Sequence, residues 1–211
     1  MHLEIIKRLL STPTCENIFD GLLSEIEAYF DRRVTTLEEM KARESKKAKG
    51  DLWELFCRDW LISTGKYLNV WLLKDSPLIE KVTNQDNGVD LIAHTKAGYS
   101  AVQCKYRSGK TRVDWKSLST FIALCSRTGP WVKLVVMTNC QSVTRKLPKS
   151  SKDQSICRGT FRSTSREQWL KLVGLYRERS VGEVPVPLQV VTDSLAVDLE
   201  EVRRARLARF C

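Results

Sequence analysis

Histidine is the scarcest chemically versatile residue in this chain. Only His2 and His94 occur among 211 residues, so the sequence can assemble neither a histidine-rich zinc cluster nor a Ser-His-Asp relay. The seven cysteines are odd in number, widely spaced and never arranged as C-x-x-C. That pattern argues against a zinc knuckle and a disulfide framework and favours a reducing compartment. Any chemistry must therefore rest on carboxylates, lysines and a metal ion.

Long apolar runs are also missing. No stretch approaches the roughly 18–20 apolar residues of a transmembrane helix. Charges interrupt the apolar residues of Met1 to Leu10, where a secretory signal would have an apolar core. We therefore expect a soluble, intracellular protein without a membrane partner, and the sequence does not distinguish cytoplasm from nucleus.

Basic residues outnumber acidic ones, 35 to 25, which leaves a formal net charge of +10. Such a surplus favours a polyanionic partner, although it also keeps a protein soluble without one. Hydrophobic residues make up 42% and charged residues 28%, which is the mix of an ordinary globular domain. A length of 211 residues suits one catalytic core with a small appendage.

Helical patterns fill the first part of the chain. Apolar spacing predicts helices over Leu3 to Leu10 and Ile18 to Phe30, and a capping box at Thr36 opens a charged helix through Lys47. We assign residues 1–47 to an N-terminal helical extension. A basic run around its end is either a solvated helix face or a phosphate-contacting surface: Lys41, Arg43, Lys46, Lys47 and Lys49.

Residues 48–180 are predicted to form an α/β core. Gly50 marks a break, after which helical spacing predicts a core helix over Asp51 to Ser63. Strands over Val89 to Ala93 and Tyr99 to Tyr106 are predicted to pair as a hairpin. The other predicted elements are a β-rich stretch over Tyr67 to Leu73, a helix over Asp114 to Cys125, a strand over Val132 to Met137, a basic loop over Ser142 to Lys152 and a helix over Ser165 to Tyr176, capped by Ser165. Together they predict a central mixed sheet flanked by helices.

Residues 181–211 form the predicted C-terminal segment, extended over Val184 to Val191 and helical over Val197 to Phe210. The helix ends one residue before Cys211, which is compatible with a longer protein that carries a helicase or another motor, and a separate helicase partner is equally compatible. The oligomeric state is open, with a dimer among the options.

The hairpin carries the residues best suited to phosphodiester chemistry. Cleavage needs a divalent cation and a group that orients or activates water, and hard oxygen ligands with a lysine suit that work. Asp90 lies in the first strand, after a glycine, Gly88, that permits a sharp bend. Strand alternation predicts two sets of side chains: a core-facing set of Val102, Cys104 and Tyr106, and an opposite, surface-lining set of Ala101, Gln103 and Lys105.

Two segments of this hairpin resemble the PD-(D/E)xK restriction-endonuclease-like superfamily: Gly88-Val89-Asp90-Leu91-Ile92-Ala93, and Gly98-Tyr99-Ser100-Ala101-Val102-Gln103-Cys104-Lys105-Tyr106. The likeness is to the Mrr-like branch, which includes the nuclease domains of type ISP restriction enzymes. That branch shows a G-[IV]-D-L strand, a Q-x-K strand and a preceding helix with a glutamate, whose place Glu54 fits. The resemblance covers residues 48–140 and implies a restriction-endonuclease-like fold.

The resemblance implies roles for five residues. Asp90 would be the principal metal ligand, Gln103 a second ligand through its amide oxygen, and Lys105 the group that orients or deprotonates the attacking water. The Cys104 carbonyl and Glu54 would complete the site, with Mg²⁺ as the ion and Mn²⁺ as a substitute. The implied reaction is DNA hydrolysis to 5′-phosphate and 3′-hydroxyl products. Gln103 replaces the acidic residue that is commoner in the superfamily, which removes one negative charge from the metal site.

Basic side chains after the hairpin and in the later loop are candidates for contacts with the nucleic-acid backbone, or for ordinary solvated surface. They are Arg107, Lys110, Arg112, Lys116, Arg145, Lys146, Lys149 and Lys152. DNA as the substrate follows from the resemblance alone, and RNA stays open.

Simpler interpretations of the same residues also stay open. Taken singly, Asp90 could cap a turn and Glu54 could pair with Arg58. Gln103 and Lys105 could form an exposed strand face. The whole fold could also bind nucleic acid, or dock within a larger DNA-processing protein, without cleaving its partner.

Overall fold

The structure, a computed structural model, describes residues 1–32, 46–78, 88–109, 111–129, 131–144 and 153–180. Most of the predicted charged helix from Thr36, most of the basic loop and the C-terminal elements lie outside these residues. Residues 1–178 form one compact unit and residues 179–211 form a second. The boundaries predicted at 47/48 and 180/181 remain predictions.

The helices of the described residues are α1 (His2–Leu10), α2 (Ile18–Asp31), α3 (Lys46–Ser63), α4 (Ser119–Arg127), α5 (Arg158–Arg162) and α6 (Arg166–Ser180). Side-chain caps define two of their starts. Asn17 accepts hydrogen bonds from the N–H groups of Phe19 and Asp20 at α2, and Ser165 accepts from Gln168 at α6, as predicted. No described helix is both long and apolar enough to cross a bilayer.

The strands are β1 (Asn69–Leu72), β2 (Leu91–Thr95), β3 (Gly98–Lys105), β4 (Arg112–Val113), β5 (Trp131–Thr138), β6 (Ser142–Val143) and β7 (Asp153–Ile156). The main sheet has the order β1-β2-β3-β5-β7, while β4 and β6 form a separate parallel pair. The pairs β1–β2 and β2–β3 are antiparallel, and β3–β5 and β5–β7 are parallel. The predicted hairpin and the predicted mixed sheet are both confirmed.

Strand β3 lies at the centre of the sheet and is covered on both faces. Val102 and Cys104 are buried, as predicted, in a core cluster shared with α1, α2 and α3. On the opposite face, Ala101 is buried in one cluster with Phe121 of α4, and Gln103 is only 2% exposed. The prediction that Ala101 and Gln103 line an open surface is therefore wrong, because α4 packs over that face.

Helix α3 does not begin after Gly50 as predicted but passes through it. A glycine in a helix interior costs about 1 kcal/mol relative to alanine. Burial of the large side chains of Trp53, Phe56 and Trp60 on this helix outweighs that cost, since each contributes roughly 2–3 kcal/mol. Tertiary packing of α3 therefore offsets the low helix propensity of Gly50.

The helix predicted from Asp114 begins later, at Ser119. An Asp114 carboxylate oxygen accepts hydrogen bonds from both the N–H and the hydroxyl of Ser117, at 2.8 and 2.6 Å. Such a local side-chain bond holds the backbone in a turn and competes with helix formation. The four residues before α4 are therefore a turn and not a first helical turn.

A buried hydrogen bond attaches α1 to α3. His2 Nε2 lies 3.0 Å from a carboxylate oxygen of Asp59, and the two residues are 5% and 3% exposed. Arg58 binds the other oxygen of Asp59 at 2.9 Å. Burial opposes ionisation of Asp59, but the bond from His2 and the charge of Arg58 lower its pKa below the ordinary value. Asp59 is therefore a fully partnered buried carboxylate.

We expect Asp59→Ala to lower the free energy of unfolding by about 3–5 kcal/mol, because removing one member of a buried pair leaves the other without its partner. Urea denaturation at neutral pH measures this loss. Glu25→Ala is the matched control, since the Arg8–Glu25 pair is 62% and 42% exposed and should contribute at most about 1 kcal/mol. Equal losses in the two variants would contradict the assignment.

The Asp59 pair also has a pH signature. A carboxylate whose pKa is lowered by folding stabilises the protein above its unfolded-state pKa, about 4, and loses that contribution as the pH falls through the folded-state value. The difference in unfolding free energy between wild type and Asp59→Asn should therefore shrink below about pH 4. A difference that stays constant on acidification would be inconsistent with the lowered pKa.

Candidate active site

The site is built around the residue that precedes β2. Asp90 N–H donates to the Val102 carbonyl at 2.9 Å, and this is the last backbone bond of the β2–β3 pair at this end. Beyond it, the Cys104 N–H donates to the Asp90 carboxylate at 2.6 Å instead of to a backbone carbonyl. Gly88, two residues before Asp90, has φ +98°, a backbone conformation that glycine adopts more readily than other residues. The carboxylate is thereby fixed at the open end of the hairpin.

Gln103 lies between the two residues of β3 that bind Asp90. Its Oε1 is buried and has no hydrogen-bond partner among the described residues. A Cβ atom at position 88 would come within 3.0 Å of Gln103 Nε2 and 3.4 Å of the Phe121 backbone. The missing side chain of Gly88 thus leaves room for the Gln103 amide. A buried oxygen without a partner costs about 1–3 kcal/mol, and a ligand or a water at Gln103 Oε1 would offset that cost.

Lys105 ends β3, two residues after Gln103 and on the same strand face. It is half-buried, and its ammonium has no ion-pair partner within the described part of the chain. The Cys104 carbonyl leaves the strand on the side of Asp90, because the N–H and C=O of one strand residue point to the same edge. The structure therefore brings Asp90, Gln103, Cys104 and Lys105 together at one end of β3.

Glu54 approaches this group from α3. Cys57, one turn further along the same helix, and Cys104 of β3 share a contact between their thiols. Burial raises the pKa of both thiols, and the charges of Asp90 and Glu54 raise both values further. Asp90 and Glu54 therefore both lie close enough to the cysteine pair for their charges to raise the pKa of the thiols.

The simpler interpretations do not account for all the contacts of these residues. Arg58 binds Asp59 and not Glu54. The bond that Asp90 accepts from Cys104 joins two strands, whereas a turn cap would bond within its own turn. Gln103 does not belong to an exposed strand face, because it is buried.

The predicted nucleic-acid contacts fall into two groups. Arg107 follows β3, two residues after Lys105, and its guanidinium lies 3.3 Å from the Ser117 hydroxyl and 3.1 Å from the Tyr106 carbonyl. Arg112 and Lys116 are exposed near the start of α4. The remaining predicted residues lie outside the described parts of the chain: Lys110, Arg145, Lys146, Lys149 and Lys152.

Glu27 of α2 contacts residues at the end of β3, which the sequence did not predict. Its carboxylate accepts hydrogen bonds from Lys49, from the Tyr106 hydroxyl and from the Ser108 hydroxyl. Burial opposes ionisation, but these three bonds and the Lys49 charge lower the pKa of Glu27. Lys49, predicted within a basic surface run, is instead half-buried here and lies 5.2 Å from the ring of Phe30. No local pattern could reveal this cluster, because Glu27 and Tyr106 are 79 residues apart.

Tyr106→Phe tests how much this cluster stabilises the end of β3. We expect a loss of about 1.5–3 kcal/mol in unfolding free energy, because the hydroxyl donates to a charged group. Tyr99→Phe at the other end of β3 is the control, since the Tyr99 hydroxyl makes no hydrogen bond to described residues, and it should be nearly neutral. Comparable denaturation midpoints for the two variants would refute the contribution of Glu27.

Comparison with known proteins agrees with this geometry. A family model described as restriction endonuclease matches residues 62–165. The matched region contains Asp90, Gln103 and Lys105, whereas Glu54 precedes it. Searches of curated proteins and of solved structures gave no match. Residues 62–165 therefore match a restriction-endonuclease-like domain of the Mrr-like branch, and this match suggests a nuclease that acts on DNA.

Proposed function

We propose that this domain hydrolyses DNA phosphodiester bonds with the help of a divalent metal ion, at the end of β3. Asp90 and the Gln103 amide oxygen are the proposed ligands, with the Cys104 carbonyl and Glu54 as further oxygen donors. Mg²⁺ is the proposed ion, because the donors are hard oxygens, and Mn²⁺ should substitute for it. Lys105 is the proposed group that acts on the attacking water.

The observation that carries the proposal is the buried Gln103 Oε1, which lacks a hydrogen-bond partner in the described region. The next residue of β3, Cys104, holds the Asp90 carboxylate through a 2.6 Å hydrogen bond. Among the described residues, no group of three or more His, Cys, Asp or Glu is placed to hold a metal ion. A metal at this end of the hairpin would therefore need the amide or carbonyl oxygens in addition to carboxylates, and the residues present fit that requirement.

The protein's own groups then have separate tasks. The Cys104 N–H holds Asp90 in one orientation, so little reorganisation is needed when charge develops. Lys105 can orient the water, or stabilise the phosphate charge, from the same strand face as Gln103. A divalent ion bound here would supply Lewis-acid stabilisation of the phosphate. Water oxygen bonds to phosphorus, the P–O3′ bond breaks, and a proton reaches the leaving oxygen, which yields 5′-phosphate and 3′-hydroxyl ends.

The substrate half of the proposal rests on the family match and on charge. A net charge of +10 suits a polyanion, and Arg107 and the exposed Arg112 and Lys116 are the described cations that we propose to contact its backbone. Binding without cleavage is the competing function, since one fold can serve both. A cleavage assay separates the two.

We expect metal-dependent cleavage of labelled DNA by the wild type, and none in EDTA. Asp90→Ala should abolish cleavage, and Lys105→Ala should slow it by at least about 10²-fold. DNA binding, measured by fluorescence anisotropy in Ca²⁺, should persist in both variants. RNA of the same sequence serves as the second substrate.

Two exposed residues of the same domain provide matched controls. Asp75→Ala and Lys96→Ala remove an exposed carboxylate and an exposed ammonium that have no role in the proposed reaction, and Lys96 lies in the turn at the opposite end of the hairpin from Asp90; both variants should cleave like wild type. If the wild type binds DNA but never cuts it, the competing function of binding without cleavage replaces this proposal.

Gln103→Glu tests the ligand role of the amide. A carboxylate adds one negative charge to the site, so half-maximal cleavage should require less Mg²⁺, since ligand charge raises affinity. Gln103→Leu, of similar size but without an oxygen, should require more Mg²⁺ or fail to cleave. Identical metal dependence in all three proteins would rule out Gln103 as a ligand.

A further inference from the structure

The strand that carries Lys105 loses its backbone partners just after that residue. The parallel register of β3 and β5 ends with the pair Lys105 and Thr138. Strand ends without further pairing fray readily. The orientation of Lys105 therefore depends on how the next residues of the chain are held.

The Asn139 side chain takes over where the β3–β5 pairing ends. Its Oδ1 accepts a hydrogen bond from the Arg107 N–H at 2.9 Å, and its Nδ2 donates to the Arg107 carbonyl at 3.0 Å. An amide side chain thus imitates one more residue of the β5 backbone. Asn139 is 9% exposed, so water has little access to compete for these bonds.

We propose that Asn139 is a positioning residue for Lys105 and Arg107 in the cleavage reaction. This inference rests on the proposed function of the site. By extending the β3–β5 pairing for two residues past Lys105, the Asn139 amide keeps the backbone on both sides of Lys105 in one conformation. It also fixes the backbone position from which the Arg107 side chain extends to Ser117. Asn139 itself touches neither substrate nor metal.

Both ends of the amide are needed for this task. Alanine at position 139 would remove the donor and the acceptor together. Aspartate would still accept from the Arg107 N–H but would face the Arg107 carbonyl with a second acceptor. Alanine therefore removes both hydrogen bonds, whereas aspartate removes only one. Aspartate does so with almost no change in side-chain volume.

The test measures single-turnover cleavage at saturating DNA and Mg²⁺, well below the thermal midpoint of every variant. Asn139→Ala should cut about 10- to 100-fold more slowly than wild type, since displacement of a catalytic group by about 1 Å can cost that much. Asn139→Asp should be about 2- to 10-fold slower, as expected for the loss of one hydrogen bond. The Mg²⁺ concentration for half-maximal rate should stay unchanged.

Asn17→Ala is the matched control, because it also replaces an asparagine that holds backbone groups, at the start of α2. It should lower the thermal midpoint and leave the saturated rate unchanged. If Asn139→Ala behaves in the same way, with wild-type rates, the positioning role is overturned. Should Asn139→Ala not fold, a wild-type rate in Asn139→Asp overturns the role just as directly.

The same experiment separates this inference from the proposed function. Cleavage that depends on Asp90 and Lys105 but not on Asn139 would remove the positioning role alone. A wild-type protein that never cleaves would overturn the proposed function and, with it, the role of Asn139.

Discussion

A hydrogen bond of 2.6 Å from the Cys104 amide to the Asp90 carboxylate closes the β2–β3 pair where its backbone bonds end. The register that places this bond is fixed, because a one-residue shift of β3 would exchange the side chains of its two buried faces. Val102 and Cys104 belong to one core cluster and Ala101 to the other. The position of Asp90 is therefore set by the whole sheet and not by its own short loop.

The same arrangement explains how polar groups can remain in a buried place. Gln103 lies under α4 with a buried carbonyl oxygen that has no partner in the described structure, while Glu54 and Asp90 are half-buried and their charges raise the pKa of the buried Cys57 and Cys104 thiols. Such groups cost stability unless they are satisfied, so proteins retain them where they serve a function. The aromatic and aliphatic packing of α3 against the sheet supplies the stability against which this cost is set.

Local patterns in the sequence were sufficient for much of this fold. The hairpin follows from alternation around a glycine-containing turn, and the order of Asp90, Gln103 and Lys105 follows from the motif. Local patterns could not show that α3 passes through Gly50, because tertiary packing offsets the low helix propensity of that residue. The short polar strand β7 (Asp153–Ile156) was also missed, since it pairs with β5 without clear alternation of its own.

The supporting contacts of the site were beyond sequence reasoning for a physical reason. Asn139 and Arg107 are 32 residues apart, and His2 and Asp59 are 57 apart. Each pair is formed only after the sheet and helices have assembled, and neither side belongs to a recognisable motif. The motif thus indicates the reacting groups, whereas the residues that hold those groups in place emerge only from the structure.

The central claim is that Asp90 and Gln103 hold a divalent metal ion through oxygen atoms. Anomalous diffraction from crystals soaked in Mn²⁺ tests it most directly. The account predicts a peak about 2.1 Å from a carboxylate oxygen of Asp90 and from Gln103 Oε1. A well-occupied Mn²⁺ bound elsewhere, with the Gln103 amide turned away from Asp90, would contradict it.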